Sequence, residues 1–125
     1  MITEDYVSFE TAKLLKKRGL DDEYANAFYD KTGNLYFIDL LSDLSSHPDN
    51  DTDIAASTLY VAMKWLREIF KLNIEVFTYW TKDKSAVYGN RVVRDNSIVK
   101  DVETAYNTYE EACEAAIKYC LENLI

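Results

Sequence analysis

Residues Ser57–Trp80 read STLYVAMKWLREIFKLNIEVFTYW. Leu59, Ala62, Met63, Leu66, Ile69 and Phe70 recur at three- and four-residue steps, which places them on one side of a 3.6-residue helix. Lys64, Arg67, Glu68 and Lys71 fall mostly on the other side. Ser57 or Thr58 supplies an N-cap hydroxyl, and Asp53 puts negative charge before the positive end of the helix dipole. After Lys71 the period drops to two. Ile74, Val76 and Thr78 alternate with Glu75, Phe77 and Tyr79, and β-branched and aromatic residues dominate, which predicts a strand. A helix that enters a strand with almost no loop folds back over its own sheet. The stretch therefore reads as core, not as a ligand box.

Before this stretch, Ser8 caps a predicted helix over Phe9 to Arg18, with Phe9, Ala12, Leu14 and Leu15 apolar. Lys13, Lys16, Lys17 and Arg18 crowd its last turns, where cations suit the dipole, and they read as a solvated face. Gly19 follows as a left-handed C′ residue. Tyr24–Asp30 and Leu35–Leu40 predict a hairpin around Lys31-Thr32-Gly33-Asn34. Residues 42–56, SDLSSHPDNDTDIAA, hold the only Pro, the only His and four Asp, and they read as a polar loop.

After Trp80, Thr81–Lys84 is a turn and Ser85–Arg94 a strand, with a bulge or break expected at Gly89. Asp95-Asn96 is a second turn, and Ile98–Tyr106 a further strand. Thr108-Tyr109-Glu110-Glu111 is a capping box opening a terminal helix whose stripe runs through Tyr109, Ala112, Cys113, Ala116, Ile117, Cys120, Leu121 and Leu124. The expected fold is α+β: one domain over 1–125, with an antiparallel sheet of about five strands, three helices and the order α-β-β-α-β-β-(β)-α.

Composition narrows the function classes. The net charge is -8, yet residues 57–100 carry eight Lys/Arg against four Asp/Glu, a net of +4, leaving -12 for the rest. Such a chain repels nucleic acid and anionic membrane as a whole, so neither is an expected partner. No apolar run approaches the ~20 residues of a membrane span. MITEDYVSFE lacks the basic-then-apolar order of a signal peptide, so cytoplasmic residence is expected. Cys113 and Cys120 stand ~10.5 Å apart along a helix axis. That exceeds the reach of a disulfide. They read as core thiols in a reducing compartment.

Chemistry-bearing patterns are few. Asp49-x-Asp51-x-Asp53 beside His47 matches the opening of a calcium loop. The match then fails, with Ile54 where Gly makes the turn and Tyr60 where a bidentate Glu belongs. A lone His beside Ser45 and Ser46 does not make a triad, no G-x-S-x-G or Cys-x-x-Cys occurs, and the three glycines stand apart. No catalytic residue and no cofactor is expected. The ten Tyr, five Phe and two Trp exceed the needs of one small core. Phe77, Tyr79, Trp80, Tyr36 and Tyr88 lie on strand segments and are the partner-binding candidates.

AMKWLRE at Ala62–Glu68, with ITEDYVSFETAKLLKKRG at 2–19 and TYEEACEAAIKYCLENLI at 108–125, resembles small phage- and prophage-associated proteins of Bacteroides-type gut bacteria. The resemblance covers under half of the chain. That group has no established activity, so no site residue carries over. The resemblance implies a cytoplasmic accessory protein of a mobile element. Three functions are therefore expected in order: a non-enzymatic protein-binding or self-associating module; a small metal-binding protein or enzyme using His47, Asp49, Asp51 and Asp53; and an acidic nucleic-acid mimic acting on a host DNA-binding protein.

Overall fold

The computed structural model describes residues 4–22, 25–38 and 53–125. Its elements, in order, are α1 (Phe9–Lys17), β1 (Ala27–Tyr29), β2 (Leu35–Phe37), β3 (Ile54–Ala55), α2 (Leu59–Phe70), β4 (Asn73–Trp80), β5 (Ala86–Arg94), β6 (Ser97–Lys100) and α3 (Tyr109–Tyr119), with a π-helical turn at Cys120–Leu124. The architecture is α+β and antiparallel. The strands form two sheets of three, β2-β1-β3 and β4-β5-β6, and not one sheet of about five. The chain divides into two compact units, Met1–Thr58 and Leu59–Ile125, with one sheet in each.

In the first unit, the Ser8 hydroxyl caps α1 by accepting from Thr11 N at 3.2 Å. The helix buries Thr11, Ala12 and Leu15 and ends at Gly19, in the left-handed conformation expected of it. β1 and β2 pair from Ala27↔Phe37 to Tyr29↔Leu35, shorter than the expected hairpin but in its place. Asp30 organises the connecting turn: its Oδ1 accepts from Thr32 N at 2.9 Å and from Asn34 N at 3.0 Å. Sequence reading missed β3, which lies inside the predicted polar loop. Ile54 and Ala55 pair with Tyr29 and Phe28, because these two apolar residues follow directly on the acidic run. Val7 N donates to Ser57 O at 2.9 Å, and Tyr29 donates its hydroxyl to Val7 O at 2.6 Å. These bonds close the unit around Val7, Ala12, Leu15 and Ala27.

In the second unit, α2 turns Leu59, Ala62 and Leu66 inward, whereas Ile69, expected on the same side, is 61% exposed. Ser57, at the end of the first unit, donates its hydroxyl to Asp22 of the same unit at 2.9 Å. Lys71, at φ 60, reverses the chain, and Leu72 N reaches back to Leu66 O at 3.1 Å. Both leucines are fully buried. Burial of a side chain of this size is worth about 1.5–3 kcal/mol. β4 pairs with β5 without interruption from Asn73↔Val93 to Trp80↔Ala86. The β5–β6 turn is Asp95-Asn96, with both residues at positive φ, the backbone of a type I′ hairpin.

The bulge expected at Gly89 is absent. The one irregularity lies between Val92 and Val93, opposite β6. The strand expected over Ile98–Tyr106 stops at Lys100, and pairing returns only at Tyr106, which exchanges two hydrogen bonds with Tyr88 at 2.7 and 2.9 Å. α3 is capped as its box predicts, with Thr108 accepting from Glu111 N at 3.1 Å. It packs on β5 and β4, and α2 packs on β4 and α3. Asn90, buried in mid-strand, donates from Nδ2 to Ala112 O at 3.0 Å and accepts at Oδ1 from Lys100 Nζ at 2.8 Å. Cys113 and Cys120 are thiols outside any disulfide and are fully buried, as are Ile117 and Leu121.

Candidate functional site

The unbroken β4–β5 register assigns side chains to faces, because residues directly opposite share one. Ile74, Val76, Thr78 and Trp80 share a face with Val92, Asn90, Tyr88 and Ala86. α3 covers that face: Asn90 bonds its Ala112 carbonyl, and the Tyr88 ring meets Tyr109 edge-on at 6.2 Å. Glu75, Phe77 and Tyr79 stand on the opposite face with Arg91, Gly89 and Val87.

On this outer face the groups touch. Phe77 and Tyr79 rings lie 6.4 Å apart, and the Arg91 guanidinium sits 4.8 Å from the Phe77 centroid, a cation–π distance. Arg91 also pairs with Asp101 at 3.3 Å and, more loosely, with Glu75 at 4.0 Å. A backbone bond from Val102 N, followed by the Arg91 contact, holds the Asp101 carboxyl below its usual range. Gly89 explains how this face closes up. A Cβ there would stand 2.8 Å from Val102 Cγ1 and 3.1 Å from Tyr79 Cε2. Its bare backbone therefore lets Val102 and Tyr79 settle onto the strand, and Tyr79, Val87, Gly89 and Val102 line a shallow apolar recess. Tyr79 remains 45% exposed.

The four aromatic candidates of the second unit thus divide between the two faces of its sheet. Phe77 and Tyr79 meet on the outer face. Trp80 stands on the helix-bearing face at the end of β4, past the cover of the helices, and is 72% exposed. Tyr88 is half-buried against Tyr109. Tyr36 belongs to the first unit, stacks on Phe28 at 6.0 Å and donates its hydroxyl to Asp53. Burial, reinforced by that bond, pushes the Tyr36 phenol up to about 12. Sequence reading did not single out Arg91 or Val102, and it read Gly89 as a bulge or break. The signal was available in Gly89, because a glycine inside a strand marks close approach as often as a bulge.

His47, Asp49 and Asp51 lie outside the described residues. Asp53 lies with Asp21, Asp22, Lys16 and Ser57 around a small recess of the first unit. The Ser57–Asp22 bond resembles half of a nucleophile–base pair, but Ser57 is 2% exposed and no imidazole adjoins it among the described residues. Among the described residues, no three His, Cys, Asp or Glu side chains converge as metal ligands would. None of their helices is long and apolar enough to cross a membrane.

Comparison with protein-family models, with curated proteins and with solved structures returned no match to this chain.

Proposed function

We propose that the chain is a non-enzymatic accessory protein of a phage or mobile element, working in the bacterial cytoplasm by binding a protein partner. The outer face of β4–β5 is the binding surface. The observation that carries the reading is the cluster Phe77–Tyr79–Arg91, whose three members touch on a sheet face opposite α3. Two aromatic rings and an arginine beside an apolar recess are the residue types that anchor protein interfaces. Arg91 is already oriented by Glu75 and Asp101, so less side-chain freedom is lost on docking.

Site-specific photocrosslinking in host cells tests this. A photoreactive residue at Tyr79 is expected to capture one dominant host or phage protein, whereas the same probe at exposed Lys82, in the turn, does not. Arg91→Ala is expected to reduce the Tyr79 adduct at least tenfold. Identical adducts from both positions, unaffected by Arg91→Ala, would refute the reading.

A further inference from the structure

The two edges of the second sheet are built differently. β6 is four residues long, its pairing is interrupted by the shift at Val92/Val93, and its Lys100 turns inward to bond Asn90. Short length, a bulge and an inward-pointing charge are the devices by which proteins prevent an edge strand from pairing with another chain. β4 has none of them. It is eight residues long, contains no Lys or Pro, and keeps register throughout. Among the described residues no strand lies on its other side.

We infer that β4 pairs edge to edge with the β4 of a second copy, antiparallel about a two-fold axis at Phe77, joining two three-stranded sheets into one of six. The proposal concerns the rim of the sheet and the outer-face reading its surface, and Phe77 and Tyr79 take part in both. Antiparallel pairing by a perpendicular two-fold keeps faces matched, so both α3 helices lie on one side.

Charge selects the register. Sliding one way sets Glu75 against Glu75, and like charges directly opposite are unfavourable; sliding the other way runs the overlap past Trp80 into the Thr81–Ser85 turn, which has no strand edge to pair. Between those limits, the register with Phe77 facing Phe77 overlaps all residues from Ile74 to Trp80. It sets Glu75 opposite the second copy's Tyr79. On the helix-bearing side it places Ile74 against the second copy's Trp80, twice by symmetry. Aromatic against β-branched residue is a favourable cross-strand pair. It also covers Trp80, which is 72% exposed in the single chain.

The size of the contact sets its strength. The seven overlapping residues at ~3.4 Å make an edge about 24 Å long. With Tyr79 and Trp80 covered from both sides, roughly 1,000 Å² is removed from water, the lower bound of a specific interface. A reversible dimer with a dissociation constant on the order of 10 µM is the expected strength.

Sedimentation velocity of the full chain across about 1–300 µM reads this. The mass is expected to rise from 14.5 kDa toward twice that value, with a blue shift of tryptophan fluorescence over the same range. Trp80→Ala removes both Trp80–Ile74 contacts and is expected to weaken association at least tenfold while circular dichroism stays unchanged. Oxidation of a Phe77→Cys variant is expected to give a disulfide-linked dimer, because residues on the axis stand ~5 Å apart. Thr78→Cys is the control, since it faces Val76 in this register and is expected to link poorly. Native Cys113 and Cys120 are fully buried and do not compete. A 14.5 kDa species at every concentration would overturn the proposal and leave the edge to a strand from another protein. So would a dimer untouched by Trp80→Ala, or preferential linkage at Thr78→Cys. Loss of self-association with a specific Tyr79 photoadduct retained would leave the outer-face reading standing alone.

Discussion

Gly89→Ala is the most direct test of how the aromatic face is held. The new methyl carbon would lie 2.8 Å from Val102 Cγ1 and 3.1 Å from Tyr79 Cε2, so both must move. Tyr79 is exposed and its ring swings away, but Val102 is β-branched and stiff at χ1. Forcing an extra carbon into a filled site costs typically 1–3 kcal/mol. Replacing glycine by alanine inside a strand returns roughly 0.5–1 kcal/mol of backbone entropy. The net expectation is a loss of about 1–2 kcal/mol, corresponding to a fall in urea midpoint of ~0.5–1 M for a slope near 2 kcal/mol/M. The assay is urea unfolding followed by tryptophan fluorescence. Trp65 and Trp80 both lie in the second unit, so the signal reports that unit. Val102→Ala removes the clashing methyl, and the double variant should recover about 1 kcal/mol relative to the sum of the singles. A midpoint that is unchanged or raised in Gly89→Ala, or strict additivity with Val102→Ala, refutes the packing argument.

Asn90→Leu should cost about 2 kcal/mol, because Lys100 Nζ loses its buried acceptor and Ala112 O loses a donor; the urea midpoint checks this. Tyr36 has its phenol raised to about 12 in the folded chain, so its contribution to stability is full below pH 10 and disappears as pH rises from 10 to 12. Asp53→Asn should move the Tyr36 titration down, read as the difference in ultraviolet absorbance between Asp53→Asn with and without Tyr36→Phe. Burial raises the Cys120 thiol to about 12, so a thiol reagent at pH 8 should label neither cysteine of the folded chain and both after unfolding. The Asp30 carboxyl is held below its usual value by its bond from Thr32 and by Asn34 N, so the β1–β2 turn keeps that support above about pH 4 and loses it on acidification; the amide exchange of Asn34 should quicken accordingly.

What the sequence disclosed follows from what each element depends on. α1, α2 and α3 depend on caps and a 3.6-residue stripe, which are local, and Ser8, Thr108 and Leu66 sit where those patterns put them. β4 was legible for the same reason, through its period of two. The division into two sheets was not. Nor was the third strand of the first sheet, Ile54 and Ala55, which pairs with Tyr29 and Phe28 from far along the chain. The outer face was half legible. Phe77 and Tyr79 advertised themselves, whereas Arg91 and Val102 reach them only through the cross-strand register and the loop after β6. Trp80 lies on the other face from Phe77 and Tyr79, because adjacent residues of a strand point to opposite sides and an aromatic run is two half-surfaces.

The inward-turned Lys100 has a consequence beyond the bond it makes with Asn90. A sheet with two receptive rims polymerises, each addition exposing the template for the next. With an open rim at β4 and a guarded one at β6, the edge pairing inferred above would terminate after a single step. The lysine acts as a stopper, and the same ammonium that satisfies a buried amide keeps an aromatic-rich strand from seeding fibres. Replacing Lys100 with an apolar residue would remove the stopper and turn a finite assembly toward an open-ended one.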